Sequence, residues 1–388
     1  MVWIISTLMV LLLLAVAGLV LAGGRAVKTA GPSPEADPPG GWPRVALIVP
    51  ATGAAPDLAA NLHSLLTQDY PDYQVVMVTR DLGDPATPVI SGLIRDHPRA
   101  RLGLSGPARG CGQKNHNLLA GLRLVGDAPA VLAFADATRL APPGWLRALV
   151  APLARGEARV ASGYHQVWPQ DRGVASRGRA VTVLSLFLTK GISRLHHPWG
   201  GATAMKRTAF EDLEVARLWA GNVVDDVSLA ARLKRAGVPV ANAPEAVLST
   251  RLSRDNGREW SAWLTRQWLY LKFCLPGTWL TAGALLYLLA GLVLLSAAFL
   301  LLAPLWWVPP GLTLAAALFL ALLTVLALRL KRLHPQPGPT GLWLAGFYAA
   351  ILNGAWRHLL TWPTRNIRWR GLCYRTTRGG RVRGITEG

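Results

Sequence analysis

A mostly parallel α/β sheet with helices on both faces, attached to membrane-spanning helices, is the architecture this chain predicts. Three observations predict it. Between Arg44 and Ala135, short apolar runs alternate with helical spacing, the pattern of strands and crossover helices around a parallel sheet. Met1 to Ala22 and Phe273 to Leu328 carry no charged residue, and both exceed the roughly 18–20 apolar residues that mark a membrane span. Acidic residues fall just past the apolar runs, at Asp81, Asp84 and Asp136, on the rim where open α/β sheets bind ligands.

The first apolar run reads as an anchor over residues 1–24. Its start has no positive charge and its apolar core is too long for a cleaved signal peptide. The second run is long enough for two spans over 274–330, broken where paired Trp and paired Pro suit an interfacial turn at Ala303-Pro-Leu-Trp-Trp-Val-Pro-Pro310. Arg25 and Lys28 follow the anchor, and Arg329, Lys331 and Arg332 follow the last span. The positive-inside rule makes both flanks cytoplasmic, so the central region faces the cytoplasm from the inner (plasma) membrane. Residues 341–360 are apolar but interrupted by Asn353, Arg357 and His358, and Arg365, Arg368 and Arg370 come next. A helix lying in the interface or re-entering keeps both of its ends on the cytoplasmic side, so 331–388 reads as a membrane-associated helix with a basic tail.

Residues 25–43, rich in Pro, Gly and small side chains, form a linker. The main folded region is expected over 44–255. Arg44-Val-Ala-Leu-Ile-Val-Pro50 is a buried parallel strand, Leu58 to Leu66 a helix, Gln74 to Thr79 a strand, and Val89 to Asp96 a helix. Arg101 to Leu104 is a weaker strand, Lys114 to Leu124 a helix, and Ala130 to Ala135 a strand ending at Asp136, with further strands near Val160 and Ala202. Residues 256–273 have aromatics at Trp260, Trp263, Trp268 and Tyr270 with Arg and Lys between, as in an amphipathic helix against lipid headgroups.

Forty-one basic residues against 21 acidic give a formal charge of +20. No nucleic-acid-binding motif accompanies it, and basic residues beside apolar spans suit an anionic membrane surface better. Cys111, Cys274 and Cys373 lie far apart without metal spacing, so neither a disulfide framework nor a zinc site is indicated. The tandem His196 and His197 read as polar loop residues. No Gly-x-Gly-x-x-Gly follows the first strand and no P-loop is present. Gly106 to Asn117 is the one phosphate-friendly loop, with glycines for backbone approach and Arg109 and Lys114 for charge.

Asp225 and Asp226 open a helix, where unpaired N–H groups and the positive dipole end hold carboxylates. An N-cap with a first-turn acid looks the same, so this pair acquires meaning only from its company. That company is Gln68-Asp-Tyr-Pro-Asp-Tyr-Gln-Val-Val76, Asp81-Leu-Gly-Asp-Pro-Ala86, Gln113-Lys-Asn-His-Asn-Leu118, Phe134-Ala-Asp-Ala-Thr-Arg139, Gly200-Gly-Ala-Thr-Ala-Met-Lys206 and Val224-Asp-Asp-Val-Ser228. In this order the pieces resemble membrane-bound family-2-type glycosyltransferases with the GT-A nucleotide-diphospho-sugar transferase fold, most closely the ceramide glucosyltransferase group. The similarity covers about Arg44 to Lys272, with an echo in Ile367-Arg-Trp-Arg-Gly-Leu-Cys-Tyr374.

The resemblance implies that Asp81 or Asp84 helps hold the nucleotide, Lys114 lies near its diphosphate, Asp136 helps place metal and diphosphate, and Asp226 is the base. Asp225 either supports that base or caps the helix. Mg²⁺ or Mn²⁺ is the implied cofactor. Two positions depart from the family pattern. Thr138 stands where the second acid of Asp-x-Asp usually lies, an acid that the ceramide-type enzymes resemble this sequence in lacking. In Leu264-Thr-Arg-Gln-Trp268, Trp268 fits a Gln/Arg-x-x-Arg-Trp motif, but Gln267 takes the arginine's position and Arg266 is displaced by one, about 100° on a helix.

The expected activity is inverting transfer of a hexose from a UDP-sugar to a membrane lipid hydroxyl, in ceramide, a diacylglycerol or a hopanoid. A polysaccharide synthase and an inactive membrane scaffold with the same fold are the alternatives. Too few spans for an export channel count against the first. Thr138 and the altered 264–268 motif are what favour the second.

Overall fold

The computed structural model describes residues 2–28, 37–192, 195–252, 256–305 and 307–388. Part of the linker, Trp306 of the paired tryptophans and the 253–255 end of the expected catalytic region lie outside the described residues.

Helix α1 (Val2–Lys28) leads to β1 (Val45–Pro50), α2 (Leu58–Leu66), β2 (Tyr73–Thr79), α3 (Ala86–Ile94), β3 (Ala100–Leu104), α4 (Gln113–Val125) and β4 (Val131–Ala135). Then come α5 (Trp145–Ala154), β5 (Val160–Pro169), α6 (Val174–Leu188), β6 (Ala202–Lys206), α7 (Arg207–Asp212), α8 (Val215–Ala220), α9 (Asp226–Ala236) and β7 (Ala241–Leu252). These strands make one sheet in the order β3-β2-β1-β4-β6-β5-β7, parallel except where β6 runs against β4 and β5.

Both faces of the sheet are covered, which is why β1, β2 and β4 read as unbroken apolar runs. Val45, Leu47 and Val49 pack with Leu62 of α2 and Trp145 of α5, while Ala46 and Ile48 pack on the opposite face with Leu118 of α4 and Leu229 of α9. Parallel pairing brings Pro50, Thr79 and Ala135, the last residues of β1, β2 and β4, to one rim. Because β6 runs the other way, its first residue, Ala202, pairs with Ala135 at that same rim. The Trp199–Gly201 turn before β6 therefore arrives beside Asp136.

Beyond the sheet, α10 (Gly257–Cys274) leads into α11 (Pro276–Leu302), α12 (Pro310–Arg332) and α13 (Thr340–Leu360). Among the described residues, three helices are long and apolar enough to cross a membrane by length and composition: Trp3–Arg25, Pro276–Leu305 and Pro310–Arg332. Helix α6 joins them to the sheet. Its Val183, Leu184 and Phe187 share a core with Met9 and Leu12 of α1, Phe319 of α12 and Trp343 of α13, and with Tyr164 of β5. Two glycines permit the close approach. A Cβ on Gly178 would lie 2.4 Å from the Trp260 ring, and one on Gly346 would lie 2.6 Å from the Arg177 Cβ. Trp260 is thus buried against α6 instead of facing headgroups, whereas Trp263 stays partly exposed.

The polar residues that interrupt 341–360 have partners inside the protein. Asn353 accepts from Ser261 of α10, and buried His358 lies against Trp279 while bonding the Tyr287 hydroxyl at 2.6 Å. The basic segment after α13 is an antiparallel sheet of β8 (Asn366–Trp369), β9 (Leu372–Thr376) and β10 (Val382–Glu387), not a tail. Ile367 and Tyr374 fill a small core with Val223, Val224, Leu269 and Phe273. Alternation of apolar and basic residues over 367–375 is the physical reason: one face packs and the other is solvated.

Candidate active site

One cavity of about 1780 Å³ opens at the rim, and Asp84, Lys114, Asp136, Asp225, Asp226, Arg266, Gln267 and Trp268 all line it. Asp81 does not; its carboxylate turns outward and pairs with Arg80 at 2.7 Å. Asp84 is held inward. Its Oδ1 accepts from the backbone N–H of Gly53 and Ala86 at 2.8 and 2.9 Å, and its Oδ2 accepts from the Thr52 hydroxyl at 2.8 Å.

The loop before α4 splits its two basic residues. Gln113 accepts from the Ala108 N–H and donates to Gly106 O and Asn117 Oδ1, which braces the loop and starts the helix. Arg109 then lines a separate small depression with Cys111 and His116, while Lys114 faces the main cavity. Gly112 is obligatory here, because a Cβ would lie 2.2 Å from the Val223 carbonyl oxygen.

Lys114 is the hub. Its Nζ lies 2.9 Å from Asp136 and 3.0 Å from Asp225, and 3.5 Å from Gly200 O. Burial favours loss of the Lys114 proton, but Asp136, Asp225 and Asp226 outweigh it and hold the pKa above its ordinary value. Burial likewise opposes the Asp136 charge, yet Lys114 and then Arg139 prevail and keep that carboxyl below its usual range. Asp225 differs. Burial raises its pKa further than Lys114 can lower it, and Asp226 and Asp136 add to the rise. Arg139 also acts on Asp136, and Lys190 and Asp226 act on each other, so Lys114 is one of several cations around these carboxylates.

Asp226 is fixed by backbone donors. Its Oδ2 accepts from Gly200 N–H at 3.1 Å and its Oδ1 from Val227 N–H at 2.7 Å. Asp225 is anchored through its carbonyl, which accepts from the Trp219 indole and the Ser228 hydroxyl, so its carboxylate is left to Lys114. Gly200 fits between them, since a Cβ there would lie 2.1 Å from Asp225 Oδ2.

Among the described residues no three His, Cys, Asp or Glu side chains converge as a metal site. Asp136 offers a single carboxylate, and Thr138 instead accepts from Arg139 at 3.1 Å. That donor set fits a divalent cation brought with phosphate oxygens, as Mg²⁺ is commonly bound, and does not fit a metal caged by protein alone.

Several cavity residues carried no signal as single positions: Tyr164, His165, Lys190, Trp199 and Arg370. His165 stacks on Trp199 at 4.4 Å and 13°. Lys190 is buried, donates to His197 O and Ser162 Oγ, and has its pKa lowered to about 7 by burial, with Asp226 offsetting part of the fall. The adjacent histidines also line the cavity, and burial, then Lys190, lowers their pKa values to about 3 for His196 and about 4 for His197. Arg370 lies within the Ile367–Tyr374 echo, the one signal that could have brought it forward.

The sequence pattern of glycosyl transferase family 21 matches residues 7–382. The chain belongs to that family. It is therefore a nucleotide-sugar-dependent glycosyltransferase with the GT-A fold joined to long apolar helices. The mannosyltransferase PcManGT of Pyrobaculum calidifontis, solved with GDP-Man and Mn²⁺, is similar over 92% of this chain and 99% of its own, with 22% identity and a TM-score of 0.52. GalNAc-T7, solved with UDP, GalNAc and Mn²⁺, is similar over 55% of this chain and 45% of its own, with 12% identity and a TM-score of 0.40.

Proposed function

We propose that this family 21 glycosyltransferase moves a hexose from a UDP-sugar to the hydroxyl of a membrane lipid, of ceramide-like, diacylglycerol or hopanoid type, with inversion. One observation carries the lipid part. The cavity holding the acidic cluster continues past Trp263 and Trp268 to Leu275, Thr278, Ala282 and Leu285 at the start of α11, and to Ala22 and Arg25 at the end of α1. A lipid whose chains lie among those helices would present its headgroup hydroxyl toward Asp226 without leaving the membrane. A soluble acceptor has no need of such a passage.

In the proposed reaction Asp226 takes the proton of the acceptor hydroxyl while that oxygen bonds to the anomeric carbon. The bond from that carbon to the diphosphate oxygen breaks on the opposite side, so an α-linked donor yields a β-linked product and a free nucleoside diphosphate. The Gly200 and Val227 N–H groups hold the base in place. Lys114 serves the departing diphosphate and keeps Asp136 ionised. Asp84 braces the nucleotide end of the cleft, and Arg266, Gln267 and Trp268 line its acceptor side. Mg²⁺ or Mn²⁺, held by Asp136 together with donor phosphates, would supply neutralisation of the leaving charge. The basic flanks of the spans support a catalytic region on the cytoplasmic side of the inner membrane, against an anionic surface.

The test is purified enzyme in lipid nanodiscs with UDP-glucose, UDP-galactose and UDP-N-acetylglucosamine, lipid extracts as acceptors, and mass spectrometry of products. A single-sugar lipid is expected, and Asp226→Asn should lose turnover by roughly 10²–10⁴-fold with nucleotide binding kept. Undiminished transfer by that variant, or a long polymer product, would overturn the proposal.

A further inference from the structure

We propose that Arg370, at the tip of the β8–β9 hairpin, closes over the donor and binds the phosphate oxygens of its nucleoside diphosphate. The inference rests on the nucleotide-sugar reading above and adds a residue to it.

The C-terminal sheet is joined to the two segments that carry the site's charges. The Tyr374 hydroxyl accepts from the backbone N–H of Gln113, the residue before Lys114, at 3.2 Å. Gly380 O accepts from Val223 N–H at 2.9 Å, and Gly221 O accepts from Val382 N–H at 3.1 Å, just ahead of Asp225. The hairpin, Lys114 and the Asp225–Asp226 pair are therefore held in register with one another. Trp369, Arg370 and Leu372 line the same cavity as Thr52, Asp84 and Asp136, and a Cβ on Gly53 would lie 3.4 Å from an Arg370 Nη1.

The backbone at the tip is unusual. Trp369 pairs with Leu372, so Arg370 and Gly371 form a two-residue turn, and both have positive φ, 51° and 73°. Such turns favour Asn, Asp or Gly at the first position, and an arginine there is held in a left-handed conformation at a cost. Strain of this kind is tolerated where the side chain has a task.

The charges around the cleft define that task. Arg80 is paired with Asp81, and Lys114 is shared by Asp136 and Asp225. Arg370 is exposed and forms no ion pair among the described residues. Its guanidinium therefore reaches the cavity without being committed to a carboxylate, and a planar guanidinium fork matches phosphate oxygens.

The test uses the full chain in nanodiscs, as wild type, Arg370→Gly and Arg370→Lys. Calorimetry with UDP and with GDP in the presence of Mn²⁺ measures the diphosphate contact, and displacement by uridine or guanosine measures the nucleoside alone. For Arg370→Gly the expected result is an affinity for the preferred diphosphate lower by about tenfold, unchanged nucleoside affinity, and a melting temperature equal or higher because glycine suits the turn. Arg370→Lys should recover part of the loss, and KM should rise for the donor and not for the acceptor. Unchanged diphosphate affinity in Arg370→Gly, or an equal loss for nucleoside and diphosphate, would overturn the inference. Failure of the wild type to bind either diphosphate would sink the nucleotide-sugar reading itself, and this inference with it.

Discussion

Replacing Lys114 by Met keeps most of the side-chain volume and removes the ammonium that bonds Asp136 and Asp225. Breaking a buried ion pair by deleting one partner costs about 3–5 kcal/mol. The Lys114 and Asp136 side chains retain 22% and 24% exposure, so solvent screening reduces this to about 2–3 kcal/mol. For a catalytic region of this size that is a fall in apparent melting temperature of about 5–10 °C at pH 8. The pH dependence follows from the shifts. Without Lys114 the carboxyl pKa values move up, and a carboxyl raised above its unfolded value favours folding while protonated and loses that contribution as pH rises through the folded pKa. The wild-type ammonium, whose pKa is raised, stays charged throughout pH 5 to 8. The deficit of Lys114→Met should therefore shrink at pH 5 and grow toward pH 8. Scanning fluorimetry in detergent at both pH values measures it. A deficit that is larger at pH 5, or absent at pH 8, would refute the shared-ammonium account.

Three further outcomes are expected. Gly200→Ala should lower turnover more than tenfold in the transfer assay, since its Cβ would meet Asp225 Oδ2 at 2.1 Å and Lys114 Nζ at 3.0 Å and displace both. Ala282→Trp, at the membrane end of the cavity, should raise KM for the lipid acceptor severalfold and leave UDP affinity unchanged by calorimetry. Chelation should abolish transfer and weaken UDP binding without lowering the melting temperature, because Asp136 offers one carboxylate and no cage of three acidic, His or Cys ligands is present among the described residues.

How much of this was legible in the sequence depends on the range of the forces involved. Local patterns located the strands and helices around β1 to β4 and the long apolar helices, because burial on both faces or in lipid leaves unbroken apolar runs. The order of acids past the strands likewise marked the rim, since parallel pairing brings the last residues of β1, β2 and β4 to one edge. The choice between Asp81 and Asp84 was not legible. It is made by Thr52 and Gly53, more than 30 residues upstream, whose donors exist at that point only after β1 and β2 have paired. Nor was the antiparallel course of β6, which brings Gly200 to Asp226, or the meeting of Tyr374 with Gln113 across 261 residues. Sequence alone determined which residue types were available and which edge of the sheet they would reach. Tertiary structure decided which carboxylates share Lys114 and what covers the cleft, because hydrogen bonds and ion pairs depend on distances that chain separation does not encode.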